Sequence, residues 1–154
     1  MTLYFAYGSN MSRAGMAARC PRALALGVAR LAGWRFIIGA AGYASIARAL
    51  GGEAIGVLWR LTPSDLAALN AYESLDSGLY VRRQLMVRHD ADAKLAMVYV
   101  AGKGGKGRPR PGYLELVVAA AREWAMPADY IRALRYWSPS ALRGVRATGA
   151  RDVA

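Results

Sequence analysis

"EAIGVLWRLTPSDLAALNAYE", residues 53–73, changes period in its middle. Its first half is a dense apolar run of branched and aromatic side chains, which predicts a buried strand over 53–61. Thr62 then offers a side-chain cap, Pro63 suits the first helical position, and Asp65 suits the positive end of a helix. From there Leu66, Leu69 and Glu73 recur at i, i+3 and i+7, so they share one face of a helix. Leu66 and Leu69 define that face as the buried one. Glu73 therefore points toward the rim of the core. Ser77-Gly78 ends the helical pattern.

Upstream, "GVARLAGWRFII" (27–38) reads as a strand bent at Gly33, and "GYASIAR" (42–48) as a shorter strand. Gly51-Gly52 is expected to make a hairpin turn into the strand at 53. Near the start, Leu3–Tyr7 reads as a short buried strand. Gly8-Ser9-Asn10 is a turn, and Asn10 or Ser12 caps a helix that runs to about Arg19 and is stopped by Pro21.

Downstream, "YVRRQLMVR" (80–88) is expected to place Val81, Leu85 and Val87 on one face. "KLAMVYVA" (94–101) is its returning strand, after a turn at His89–Asp92. Residues 102–112 form a Gly/Lys/Arg/Pro loop of a length that suits a lid. Tyr113 to about Ala125 reads as an amphipathic helix with Leu114, Val117, Val118 and Ala121 inward, and a further helix covers about 128–136. Strands thus dominate the first two thirds without alternating with helices. The fold class is α+β, with a mostly antiparallel, strongly curved sheet that could close into a barrel. One domain spans 1–137, followed by a basic, loose tail over 138–154.

Composition narrows the function classes. At 154 residues and 55% apolar content the chain is long and apolar enough for a real core. No apolar run spans a bilayer and no secretion signal is visible, so no membrane partner is expected. A lone cysteine, Cys20, and a lone histidine, His89, exclude an internal disulfide and a plausible zinc set. A reducing, cytoplasmic setting is expected. Cys20 reads as a quiet buried thiol and His89 as a solvated surface group. The net charge of +11 is spread along an Arg-heavy chain. This leaves a nucleic-acid partner open but disfavoured.

Two places carry chemistry. An unpaired carboxylate at the Glu73 position is costly to keep ionised, so its pKa should rise and it would suit proton transfer near neutrality. The competing reading is an ion pair with Arg82 or Arg83. The Gly8-Ser9-Asn10 turn could present successive N–H groups to an anion or oxyanion. The competing reading there is a plain connection.

"YFAYGSNM" (4–11), followed by "GVLWRLTPSDLAALNAYESLDSGLYVRRQLMV" (56–87), resembles the gamma-glutamylcyclotransferase family. The likeness extends through "GVARLAGWRF" (27–36) and "GYASI" (42–46) to "RPGYLELVVAAAREWAMPADYIRAL" (110–134). It implies a small mixed β-barrel around one cavity and a cofactor-independent, metal-free reaction. In that reaction the α-amine of a γ-glutamyl compound attacks its own γ-carbonyl, releasing 5-oxoproline and an amine or amino acid. By resemblance Glu73 is the catalytic proton shuttle. Tyr7, Gly8, Ser9, Asn10 and Met11 form the substrate-binding turn, and Tyr80 and Tyr113 line the pocket. The chain departs from the family at Asn70, where an Asp is usual, and at Ser74, where a Gly is usual. One fewer acidic neighbour should leave Glu73 easier to ionise. A non-catalytic module that binds a small acidic metabolite in the same cavity, and a basic nucleic-acid binder, are the alternatives. A homodimer is compatible with the sequence.

Overall fold

The computed structural model describes residues 1–73, 79–102 and 104–138. In chain order these form β1 (Thr2–Ala6), a one-turn 3-10 helix (Ser9–Met11), α1 (Arg13–Arg19), β2 (Leu24–Ile38) and β3 (Ala44–Leu61). They continue through α2 (Pro63–Tyr72), β4 (Tyr80–His89), β5 (Asp92–Ala101), α3 (Tyr113–Glu123) and α4 (Ala128–Arg135). The strands close into a barrel in the order β1-β3-β2-β4-β5. Every pairing is antiparallel except the closing one, where β1 runs parallel to β5 with Tyr4 opposite Met97. The predicted α+β barrel is what forms. The expected basic tail lies outside the described residues apart from Ser138, as does the Ser77-Gly78 break.

Barrel closure removes sheet edges and leaves an interior for side chains to fill. Phe5, Val57, Leu58, Leu61 and Val98 are fully buried. Each such side chain contributes about 1.5–3 kcal/mol of burial free energy. The inward stripe expected on the helix at 113 is realised: Leu114, Val117, Val118 and Ala121 of α3 are all buried. Ser12, rather than Asn10, caps α1, its hydroxyl accepting from the Gly15 N–H at 3.1 Å. Thr62 caps α2 in a reciprocal arrangement. The Asp65 N–H donates to Thr62 Oγ1 at 3.2 Å and the Thr62 N–H donates to Asp65 Oδ2 at 3.4 Å.

Four expectations are corrected. Gly51-Gly52 is not a hairpin turn. β3 is one strand on both sides of it, pairing Arg48 with Trp34 and Glu53 with Ala32 on the same partner. Residues 49–52 bulge out opposite Gly33, and the positive φ angles of Gly51 (76°) and Gly33 (83°) permit it without side-chain strain. The alternation expected along 80–88 fails at its start, where Tyr80 is buried and Val81 exposed, although Val87 is buried and Leu85 half-buried as the spacing puts them. His89 is mostly covered rather than solvated, with Nε2 3.0 Å from the Leu26 carbonyl. The 102–112 loop is tied down rather than lid-like: Lys106 bridges Gly39, the Gly107 N–H donates to Ile38 O, and the Arg110 N–H donates to Gly42 O.

Candidate active site

The strand-to-helix switch at 61–63 sets where Glu73 goes. The cap at Thr62 starts α2, and the fully buried Leu69 seats it on the barrel. The helix ends at Tyr72, one residue short of Glu73, whose own N–H still donates to the Leu69 carbonyl at 2.9 Å. Leu66 is only half-buried, so the shared face is narrower than the periodicity implies. Ser74 lies outside the described residues.

Glu73 lines a cavity of about 240 Å³ together with the turn after β1. Gly8, Ser9 and Asn10 line it, with Tyr7 beside them. Asn10 is buried, and its Nδ2 donates both to Glu73 Oε1 and to Tyr4 Oη, each at 3.1 Å. Residues 63 apart in sequence are therefore in direct contact. Glu73 makes no ion pair among the described residues. Arg83 instead lies over the Trp34 ring, and Arg82 acts on Tyr99. Burial pushes the Glu73 carboxyl up to about 7 from 4.5, and the positive charge of Arg19 partly offsets this. Its place at the negative end of α2 acts in the same direction as burial.

Tyr80 and Tyr113 reach the cavity from β4 and α3 and bracket Ala44. The Tyr80 hydroxyl donates to the Ala44 carbonyl at 2.9 Å, and the Ala44 N–H donates to Tyr113 Oη at 3.2 Å. Ser9 also turns its N–H and hydroxyl toward Tyr113 Oη. Tyr7 donates to the Tyr99 carbonyl. A side chain at Gly8 would meet Ala44 Cβ and Tyr113 Oη at 2.9 Å, so glycine is what lets the turn approach them. Met11 is placed elsewhere. The 3-10 turn folds it into the core, where it is fully buried, and its carbonyl accepts from Trp124 Nε1 at 2.7 Å.

Several lining residues escaped the sequence reading: Tyr4, Tyr43, Tyr72 and Tyr99, with Leu79. In all, seven of the nine tyrosines line the cavity. The signal was in the composition. Nine Tyr against two Phe means that most aromatic positions carry a hydroxyl, which needs a partner once buried. Burial raises the pKa of Tyr4, Tyr7, Tyr80, Tyr99 and Tyr113, keeping these phenols neutral donors. Asn70, the departure from the usual Asp, accepts from the Tyr99 hydroxyl. Among the described residues no three His, Cys, Asp or Glu side chains gather where they could hold a metal. Among the described residues no helix is long and apolar enough to cross a membrane.

The small closed barrel with its flanking helices is similar to solved gamma-glutamyl cyclotransferase structures. One of them superposes with a TM-score of 0.81 at 28% identity, covering 87% of this chain and 86% of its own. A yeast gamma-glutamyl cyclotransferase specific to glutathione shares the fold alone, at 12% identity and a TM-score of 0.55. In sequence, the gamma-glutamylcyclotransferases of Mus musculus and Homo sapiens are each 29% identical, over 92% of this chain and 81% of theirs. Residues 53–134 match the model of the AIG2-like family, and the chain belongs to that gamma-glutamylcyclotransferase-like family.

Proposed function

We propose that the chain cyclises a γ-glutamyl amino acid or γ-glutamylamine, releasing 5-oxoproline, with Glu73 as the proton shuttle. The observation that carries this reading is the Glu73 carboxyl, partly buried, without an ion pair among the described residues, and accepting a hydrogen bond from Asn10 of the turn that lines the same cavity. The substrate supplies its own nucleophile. Its α-amine nitrogen bonds to the γ-carbonyl carbon and closes a five-membered ring. The bond from that carbon to the leaving nitrogen then breaks. The α-ammonium nitrogen gives up two protons, one before attack and one as the lactam forms; the leaving nitrogen takes up two, by way of Glu73, and departs as an ammonium, so no water is consumed. What the protein must supply is a folded substrate and a base that also works as an acid. A carboxyl that titrates near 7 holds both forms at neutral pH. The Gly8-Ser9-Asn10 turn suits the glutamyl α-carboxylate, and the hydroxyls of Tyr4 and Tyr113, whose oxygens accept hydrogen bonds from Asn10 and Ala44, suit the developing oxyanion.

Two outcomes follow. Mass spectrometry of a γ-glutamyl dipeptide and amine library incubated with the chain should show 5-oxoproline and the free amine in equal amounts. Binding without product across the library would return the reading to a metabolite-binding module. The base must be ionised to accept the ammonium proton, so kcat/KM should rise with pH through about 7. A flat profile between pH 5 and 9 would remove Glu73 from that role.

A further inference from the structure

We propose that Arg19 is a positioning residue for this site: it fixes which way the Asn10 amide points, and through that amide it aims the Glu73 carboxyl. The inference rests on Glu73 being the proton shuttle. An amide's oxygen and nitrogen occupy nearly the same space, so its partners decide its orientation. Arg19 Nη1 donates to Asn10 Oδ1 at 2.6 Å. A guanidinium has only donors, so this contact admits the oxygen alone. The Nδ2 is thereby turned to Glu73 Oε1 and Tyr4 Oη. The inverted amide would set N–H against guanidinium and oxygen against carboxylate, two repulsions replacing two attractions.

Arg19 is itself held in place. It stands in the last turn of α1, where positive charge is favoured, and its guanidinium lies 4.2 Å from the centre of the Tyr72 ring. Tyr72 lines the cavity and immediately precedes Glu73. Arg19 therefore grips both sides of the site, the turn through Asn10 and the end of α2 through Tyr72. Titratable groups on every wall feel the charge of Glu73, Tyr4 and Tyr7 from the β1 side, Tyr80 from β4, Tyr99 from β5 and Tyr113 from α3, while Arg19 from α1 acts on Glu73 itself. Among these, Arg19 is the one that carries a full charge at neutral pH. It favours the carboxylate against burial, and it does so without touching it.

The test follows 5-oxoproline release from γ-glutamylalanine across pH for the wild-type chain, Arg19→Gln, Arg19→Lys and Glu73→Gln. Arg19→Gln should lower kcat/KM at pH 7 by about ten-fold and move the acidic limb to higher pH. Arg19→Lys keeps the charge but not the fork. It should return the limb to its wild-type position while kcat stays reduced and KM is little changed. If Glu73→Gln is inactive while Arg19→Gln keeps the wild-type rate and limb, the positioning role is wrong and the shuttle stands. If Glu73→Gln turns over normally, the shuttle fails and the Arg19 role fails with it. Should Arg19→Gln not fold, Arg19→Lys carries the test, and an undiminished kcat there overturns the proposal.

Discussion

Glu73→Gln should lower 5-oxoproline release by about 100- to 10,000-fold, the usual contribution of a positioned general acid–base. The glutamine keeps the shape of the side chain and can still meet Asn10, so the fold should persist. The same variant should be more stable than wild type at alkaline pH. In the folded chain the carboxyl titrates at about 7 against 4.5 for the free group. Between those values the folded chain binds more protons than the unfolded one, so folding stability falls as pH rises through that window. The neutral amide has no such loss, and the difference above pH 7 is up to about 3 kcal/mol. Thermal unfolding at pH 5 and pH 9, compared for the two chains, reads it directly. An inactive variant with no stability gain at pH 9 would mean that the carboxyl is not held in a desolvated place.

Gly56→Ala should be the most damaging single methyl in the barrel. A Cβ at this position would lie 2.3 Å from the Ala6 carbonyl oxygen and 2.8 Å from two carbons of the Phe5 ring. The first neighbour is backbone and cannot swing aside, so β1 must move off β3. Overpacking of this kind costs about 3 kcal/mol. For a chain of this length that lowers the unfolding midpoint by about 10 °C. β1 also runs directly into the turn that lines the cavity, so whatever activity survives should fall as well. A midpoint within about 3 °C of wild type would show that β1 and β3 do not approach as closely as the register of Ala6 opposite Val57 requires.

Local reading succeeded where neighbours in sequence are also neighbours in space. The Thr62 cap, Pro63, and the inward stripe of α3 are decided within a few residues, and all appear where the spacing puts them. It failed where a distant partner overrides a local signal. Gly51-Gly52 has the composition of a hairpin turn, yet a bulge opposite Gly33 uses the same φ freedom and leaves β2 as the partner on both sides. The alternation along β4 fails because strands in a small barrel coil, so a face that starts inward at Tyr80 does not stay there.

The candidate site divides in the same way. Glu73 and the Gly8-Ser9-Asn10 turn were legible separately, each from its own residue types. Tyr4, Tyr43, Tyr72, Tyr99 and Arg19 were not, because each is ordinary in its own segment and acquires meaning only from what lies across the cavity. By itself the sequence determined most of the elements, the α+β class and the one carboxylate in line with a buried helix face, since periodicity and capping are short-range. Only the tertiary structure decided that this carboxylate meets Asn10 at the edge of a hollow walled by phenols. Closing a barrel brings chain ends and mid-chain segments together through pairings that no local pattern encodes.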